Sequence, residues 1–474
     1  MKNLAIVLFV SIGLSINVFA QYGSEGSTDA RSMSLGKTSN AISQGVYSIG
    51  INPANLLNTN ETVDISTVLP LPHLSIDAGT NILSVNDLNY YFGSVDGHGR
   101  VLSDNDKQNL NSLFNGGGLV FGNASFTLFS IGIRLKPSIG AFAFSINDFI
   151  EGDVTVPQAL STLLTNGNPK NSTYNFDDTK FNSWWLRNYS LSYAREIDGI
   201  KSTFLNKLTA GISLKLYQGY EYAQSVQVNG NSVQTGTNNQ INLNTNYVIQ
   251  SAFSSNFHVK YSFDSTDTGK SNMSAFPSPA GTGFGFDLGF SAEIFNNWSV
   301  SLAITDIGSI KWDQNTALTT STGQYTITDV TNKDQQDSIK NKFKGTSVPG
   351  GSFTTDLPTT LRLGAAHMFN FGENGVFPGT LLVAMDINQG FNDEPGNSTK
   401  TRVSIGGEWK AAHGAPLLRT GFSFGGLLGF HWGLGLGIPA GPLEFNLATL
   451  DLQSFLKPDS AKHISVAFDS RWKF

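Results

Sequence analysis

The sequence predicts an all-β fold, an antiparallel transmembrane β-barrel of about 14 strands with an N-terminal plug, or hatch, in the lumen and long extracellular loops. Three observations predict it. Side chains alternate apolar and polar with period two along most of the chain. The connections sort into long and short sets. The tryptophans gather at strand ends. Charged residues make up only 14%, glycine occurs 50 times, 11% of residues are aromatic and there is no cysteine. Hydrophobic residues, at 39%, are scarcer than in a typical globular chain, yet Phe is too frequent and charge too rare for disorder. A chain without cysteines has no disulfide framework, so a large core or a lipid bilayer must hold it.

The N-terminus reads as a secretory signal peptide over residues 1–20. Lys2 gives the positive start, Leu4 to Leu14 is an apolar run broken only by Ser11 and Gly13, and Val18-Phe19-Ala20 sets the cleavage site before Gln21. The run is short for a membrane span, and no later stretch approaches the roughly 20 apolar residues of a transmembrane helix. The formal charge of −6 becomes −7 without Lys2, which gives no reason to expect nucleic acid as a partner.

Residues 21–60 show no strand pattern and are rich in small side chains, so they are expected to form the plug, and residues 61–474 the barrel. Strands are expected at Thr62–Ala78, Phe121–Lys136, Ser138–Asp148, Trp184–Glu196, Lys207–Tyr220, Gly283–Phe295 and Trp298–Trp312. Seven more follow at Pro358–Phe369, Gly379–Phe391, Thr401–Lys410, Pro416–Phe424, His431–Ile438, Pro442–Leu450 and His463–Phe474. In "GFGFDLGFSAEI", Phe284, Phe286, Leu288, Phe290, Ala292 and Ile294 share one face and Gly285, Asp287, Gly289, Ser291 and Glu293 the other. A soluble sandwich also alternates, so the connections decide the environment. Four of the odd-numbered ones are long (Gly79–Val120, Phe149–Ser183, Glu221–Thr282, Asp313–Leu357), and the even-numbered ones, such as Asn296-Asn297 and Pro439–Gly441, are short. Long loops on one side and short turns on the other are an outer-membrane pattern, and an even strand count puts both chain ends on the short-turn side. Gln240–Phe263 reads as a hairpin in the third long loop, or as two further strands that would raise the count to 16. Asp104–Phe114 and Val156–Leu164 carry leucines at helical spacing and are expected as short amphipathic helices at the mouth. Trp184, Trp185, Trp312 and Trp432 at the long-loop ends, and Trp298, Trp409 and Trp472 at the short-turn ends, are all expected near a membrane interface.

Motifs for chemistry are weak. "GFSFG", Gly421 to Gly425, fits the nucleophile-elbow pattern, but Ser423 lies inside an alternating strand rather than on a strand-to-helix turn. "TGKS", Thr268 to Ser271, lacks the first glycine of a phosphate loop. The seven histidines are scattered without metal-ligand spacing. No enzyme, cofactor or metal is expected. The inward parity is more informative: Arg362, Asp386, Arg402, Glu408, Arg419, Glu444, Asp469, Arg471 and Lys473 face the lumen. Their mixed signs fit a network that holds the barrel or its plug better than a one-sign selectivity ring.

The N-terminal stretch also carries a resemblance. Arg31-Ser32, then Leu35-Gly36, then Asn52-Pro53-Ala54 and Leu56 resemble the hatch of the FadL superfamily, which spans hydrocarbon channels and the PorV-like proteins of Bacteroidetes secretion systems. "TDIGSIKW", "LPTTLRLGAAHMF", "GGEWK" and "WGLGLGIPAGPLEFNLAT" are similar to PorV-like chains. The resemblance implies a 14-stranded barrel in the outer membrane of a Gram-negative bacterium, surrounded by outer-membrane lipid and placed there by the barrel-insertion machinery, which would read the terminal aromatics Trp472 and Phe474 as its signal. It also implies one of two roles. The polar lumen points first to an accessory or partner-binding subunit of an outer-membrane secretion or biogenesis assembly, and second to a passive uptake channel for small hydrophobic molecules. Pro70 and Pro72 bear on both roles, since a gap at them could let an apolar solute slip sideways into the membrane and could equally be a seam against another protein. Proline donates nothing to a ladder, so "LPLP" should kink or locally unpair the first strand.

Overall fold

The computed structural model describes residues 23–26, 29–95, 98–136, 138–200, 203–261, 274–295, 297–329, 332–372 and 377–474. The expected signal peptide and the Thr268–Ser271 stretch lie outside them. The wall is a closed antiparallel barrel of 14 strands. Here β1 runs in two pieces, Val63–Thr67 and His73–Thr80, followed by β2 (Gly118–Arg134), β3 (Ala141–Val156), β4 (Lys180–Glu196), β5 (Leu205–Val228), β6 (Gly281–Ile294) and β7 (Trp298–Trp312). The circuit continues through β8 (Thr360–Gly372), β9 (Gly379–Gly390), β10 (Arg402–Lys410), β11 (Leu417–Gly425), β12 (His431–Ala440), β13 (Leu443–Thr449) and β14 (His463–Lys473). Closure is set by β14 against β1, with Leu74 opposite Phe468, Ala78 opposite Ile464, and Ile65 opposite Trp472.

Period two decides the two faces. Along β6, Phe284, Phe286, Leu288 and Phe290 are exposed on the outer face, while Gly283, Asp287, Gly289 and Ser291 are buried on the inner one. Leu214, Leu302, Met385, Ile405, Leu418, Leu447 and Val466 carry the same apolar band around the barrel. A chain folding in water alone would hide such a band, whereas a bilayer covers it.

Several strands outrun their expected outer ends. β5 continues to Val228, and past Tyr220 it pairs with Ile241–Phe253, which pairs in turn with Thr316–Ile327. The described part of the Gln240–Phe263 region therefore adds one rim strand and no wall strand, and the wall stays at 14 strands. Beyond the apolar band nothing requires alternation, so Asn-, Ser- and Thr-rich sequence extends the ladder unmarked by parity. Helices cover the mouth: α2 (Val85–Phe92), α3 (Asp104–Leu113) and α4 (Gln158–Asn166), with α5 (Lys333–Phe343) on the rim sheet and α6 (Leu452–Leu456) before β14; α1 (Ala30–Ser34) lies in the N-terminal segment. Ser84–Asp87 and Ser103–Asp106 form reciprocal capping boxes that start α2 and α3.

Two of the seven tryptophans correct the expected interface placement. Trp184 and Trp312 are fully buried inside the outer end of the barrel, packed with Phe149, Leu186, Tyr217, Tyr222 and Leu357. Trp184 Nε1 donates to Glu151 Oε2 and Trp312 Nε1 to Thr355 Oγ1. The reasons are geometric. Trp184 and Trp185 are neighbours on one strand, so only one can face outward. On β7, Ile307 pairs with Phe286 but Ile304 pairs with Leu288, so one extra residue flips parity between Trp298 and Trp312. Asp306 sits in that bulge at φ 58°.

Candidate functional site

The interior is organised around residues 29–58, which lie within the barrel and are almost entirely buried. Asp29 starts α1 by accepting from the Ser32 N–H at 2.8 Å. Asn52 starts the short 3₁₀ turn Pro53–Leu57: its Oδ1 accepts from the Ala54 N–H at 3.0 Å, and its Nδ2 donates to Phe290 O of β6. Proline at the first position of that turn loses no hydrogen bond, because its N–H would have had no partner there.

Wall glycines receive this segment. A Cβ on Gly211 would lie 2.4 Å from Pro53 C, and one on Gly289 would lie 2.0 Å from Asn52 Oδ1. On the opposite side, a Cβ on Gly406 would meet Leu35 O at 2.6 Å, on Gly421 Leu35 C at 2.1 Å, and on Gly433 Met33 O at 2.3 Å. The segment's backbone therefore rests directly on the wall's backbone. Gly421 belongs to the "GFSFG" match; it seats Leu35 and Gly36, and Ser423 lies within the ladder opposite His431. No strand-to-helix turn presents that serine.

Charged side chains do the fastening. Glu408 accepts from Arg31 at 2.9 Å and from Arg419 at 2.7 Å, so one carboxylate of the wall ties the segment to a second strand. Glu444 lies between Arg419, Arg471 and Lys473, and Arg471 also reaches Asp64 at 3.2 Å. The remaining members also hold backbone groups of the N-terminal segment. Asp386 accepts from the Ser39 and Asn40 N–H groups at 2.5 and 2.8 Å. Arg362 donates to Gly23 O, and Arg402 donates to Ser24 O and Lys37 O. Asp469 accepts from the Ala30 N–H and the Tyr47 hydroxyl. Charges this deep are tolerable only when their hydrogen-bonding capacity is met. Two further groups lie on the earlier strands, Arg187 with Asp148 on β4 and β3, and Lys215 with Asp287 and Asp306 on β5 to β7. Parity puts Lys215 and Asp287 on the polar face without pairing them; Asp306 lies in the bulge, where parity inverts.

Pro70 and Pro72 lie in an outward break of the wall. Ile65 and Leu74 of β1 sit opposite Trp472 and Phe468, so nine steps along β1 answer four along β14. Val68 to Leu71 project outward, Leu69 at 70% exposure. Side chains replace the missing ladder. Ser470 Oγ accepts from the Leu71 N–H at 3.1 Å and donates to Leu71 O at 2.7 Å, and Ser66 Oγ donates to Ser470 O. Ser470 is the one polar residue on the apolar parity of β14, and this is its use. Behind the break lies a small cavity lined by Asp29, Val46, Tyr47, Ile49, His73, Thr127 and Asn147, among others. Tyr47 separates it from the β14 wall, with Arg471 over its ring at 4.7 Å. Above β1, Ile82, Leu110, Phe114 and Val156 form an apolar cluster beneath α2, α3 and α4. At the same outer rim, in the β9–β10 connection, burial and the charge of Asp356 push the Glu394 carboxyl up to about 7.

A model of a family of unknown function, DUF5723, matches residues 53–449. No curated protein matches the chain. Among solved structures, the toluene transporter TodX of Pseudomonas putida is similar at 15% identity over 97% of this chain and 100% of that one, with a TM-score of 0.46. The toluene transporter TbuX of Ralstonia pickettii is similar at 13% identity over 95% and 99%, with a TM-score of 0.46. A Pseudomonas aeruginosa FadL homologue is similar at 13% identity over 96% and 100%, with a TM-score of 0.44.

Proposed function

From the membership of this chain in the DUF5723 family, whose function is unknown, and from the geometry above, we propose that it is a non-enzymatic outer-membrane barrel admitting small apolar molecules, described in its closed state. The observation that carries the reading is the break at Val68–Pro72, stitched by serines where the rest of the wall is laddered; a small, mainly polar cavity lies inside the wall by His73. An apolar solute would collect on the cluster beneath α2, α3 and α4, and would leave sideways into lipid once the break opens. The N-terminal segment serves as the plug, with Arg31, Ser32, Leu35, Gly36, Asn52, Pro53 and Ala54 as its docking residues and Tyr47 as the side chain that shuts the cavity. Trp472 and Phe474 stack at 6.2 Å at the short-turn end, a fitting place for an insertion signal.

The accessory-subunit role, placed first on sequence, becomes the second reading. It is favoured by the polar rim sheet around Ile241–Phe253 and Thr316–Ile327, a surface suited to a protein partner. PorV-like specificity and a Bacteroidetes source belong with that reading.

Reconstituted vesicles separate the two. Uptake of toluene, or of an apolar fluorophore, into vesicles carrying the chain should exceed uptake into empty ones, and Tyr47→Ala should raise it further. If neither protein exceeds empty vesicles, the conduit reading fails. A stoichiometric outer-membrane protein retained through mild-detergent purification would then support the accessory role.

A further inference from the structure

Two histidines and a carboxylate far apart in sequence meet at the outer rim. His431 opens β12, Asp451 lies between β13 and α6, and His463 opens β14. His431 Nδ1 lies 2.8 Å from Asp451 Oδ1, and His463 Nδ1 lies 3.7 Å from the same oxygen. One ligand atom from each residue falls within 4.8 Å of the others. Ligands held about 2.0–2.2 Å from a tetrahedral Zn²⁺ are separated by roughly 3.3 Å, and the two observed separations bracket that value.

A second observation points to a ligand. Asp451 is fully buried and His431 is 3% exposed. Yet Asp451 Oδ2, His431 Nε2 and the neighbouring Gln453 Oε1 have no hydrogen-bond partner among the described residues. Buried polar atoms are normally paired, so the Asp451 and Gln453 oxygens, orphaned beside the shared Asp451 Oδ1, mark a missing positive centre or water, whereas His431 Nε2 lies across the ring from the Nδ1 that faces Asp451. Gln453 Nε2 stands 3.2 Å from Asp451 Oδ1. Turning that amide by half a rotation would give up this hydrogen bond and bring the orphaned Oε1 to ligand spacing. The surrounding structure is firm: Ser454 Oγ donates to His463 O, the Leu450 N–H donates to Ser465 Oγ, and the Phe121 ring meets His463 edge-on at 5.4 Å.

We propose that His431, Asp451 and His463 bind one divalent transition-metal ion of the Zn²⁺ class, with Gln453 or water as the fourth ligand. Imidazole with a single carboxylate suits Zn²⁺, Cu²⁺ or Ni²⁺, while Ca²⁺ requires six or more oxygens. The ion would tie β12, the β13–β14 connection and β14 together beside β1, so it would fasten the outer end of the same seam that breaks at Val68–Pro72. The site stands independently of the conduit reading.

The test uses the full barrel in detergent, stripped with a chelator and titrated by calorimetry with Zn²⁺ and separately with Ca²⁺. One Zn²⁺ per chain is expected, no Ca²⁺, and a Co²⁺ form with the intense visible absorption of a tetrahedral site. His431→Ala and His463→Ala should each weaken Zn²⁺ at least about tenfold while keeping the gel-mobility shift on boiling that marks a folded barrel. The proposal is overturned if the folded wild-type chain takes up no Zn²⁺, or if the folded double variant binds it as well as wild type.

Discussion

The wall that faces Leu35 and the wall that faces Pro70 are built from the same fold by different means. Across β8 to β13 the inner face presents glycines and paired charges, and the N-terminal segment is pressed against it backbone to backbone. At β1 and β14 the ladder is interrupted, and Ser66 and Ser470 supply the hydrogen bonds that strands supply elsewhere. Removing a buried partner from the first region strands charges in a dry interior. Removing a serine from the second loses hydrogen bonds of ordinary strength beside lipid. The two regions thus differ in how the wall is held, by close backbone contact and buried charges where the segment is docked, and at the break by serine hydrogen bonds beside the Arg471–Asp64 pair.

The largest effect should come from Glu408→Ala, which leaves Arg31 and Arg419 buried without their shared carboxylate. A loss of about 3–5 kcal/mol is expected, read as a lower temperature for the mobility shift on heating and as protease access to residues 29–43. An undiminished transition would break the contrast between the two walls. Adjacent glycines on β10 sharpen it further. A Cβ on Gly406 meets Leu35 O at 2.6 Å, whereas one on Gly407 meets nothing closer than Leu382 O at 3.8 Å. Gly406→Ala should cost about 1–3 kcal/mol by overpacking, and Gly407→Ala should be neutral or slightly stabilising. Equal costs would show that the segment does not bear on the wall. Ser470→Ala should be the mildest, about 1 kcal/mol of stability, yet it should raise exchange of the Leu71 amide more than that of amides on β10. A uniform response across both strands would mean the seam is no weaker than the rest.

Much of this was legible in the sequence, for physical reasons. Membrane-facing strands must alternate, and outer and inner connections differ in length, so all 14 wall strands could be placed from parity and loop sorting. Parity also names the inward charges such as Arg362 and Asp386, since a residue's face follows from its neighbours. It does not name their partners. Asp386 binds the Ser39 and Asn40 amides, and backbone donors leave no mark in a sequence. Where a bulge inserts one residue, parity inverts, and Trp312 was misplaced for that reason; Trp184 beside Trp185 could have been placed by strict alternation. His431, Asp451 and His463 are separated by two strands and a short helical stretch, and only the returning chain brings them together.

The glycine seats also bear on the order in which the molecule is made. The N-terminal segment touches β5 and β6 through Asn52–Ala54 and touches β10 to β12 through Met33–Gly36, which are opposite flanks of the circuit. A chain bonded to both flanks of a closed cylinder is most simply laid down while the cylinder is still an open sheet, with the flanks curling around it. On that order the segment would act as a mandrel on which the sheet takes its curvature, and the joint between β14 and β1 would form last. That joint holds the extruded prolines and the stitching serines. On that order the interrupted line in the finished wall would also be its final weld, and an incomplete weld in assembly would look, in the mature protein, like a door.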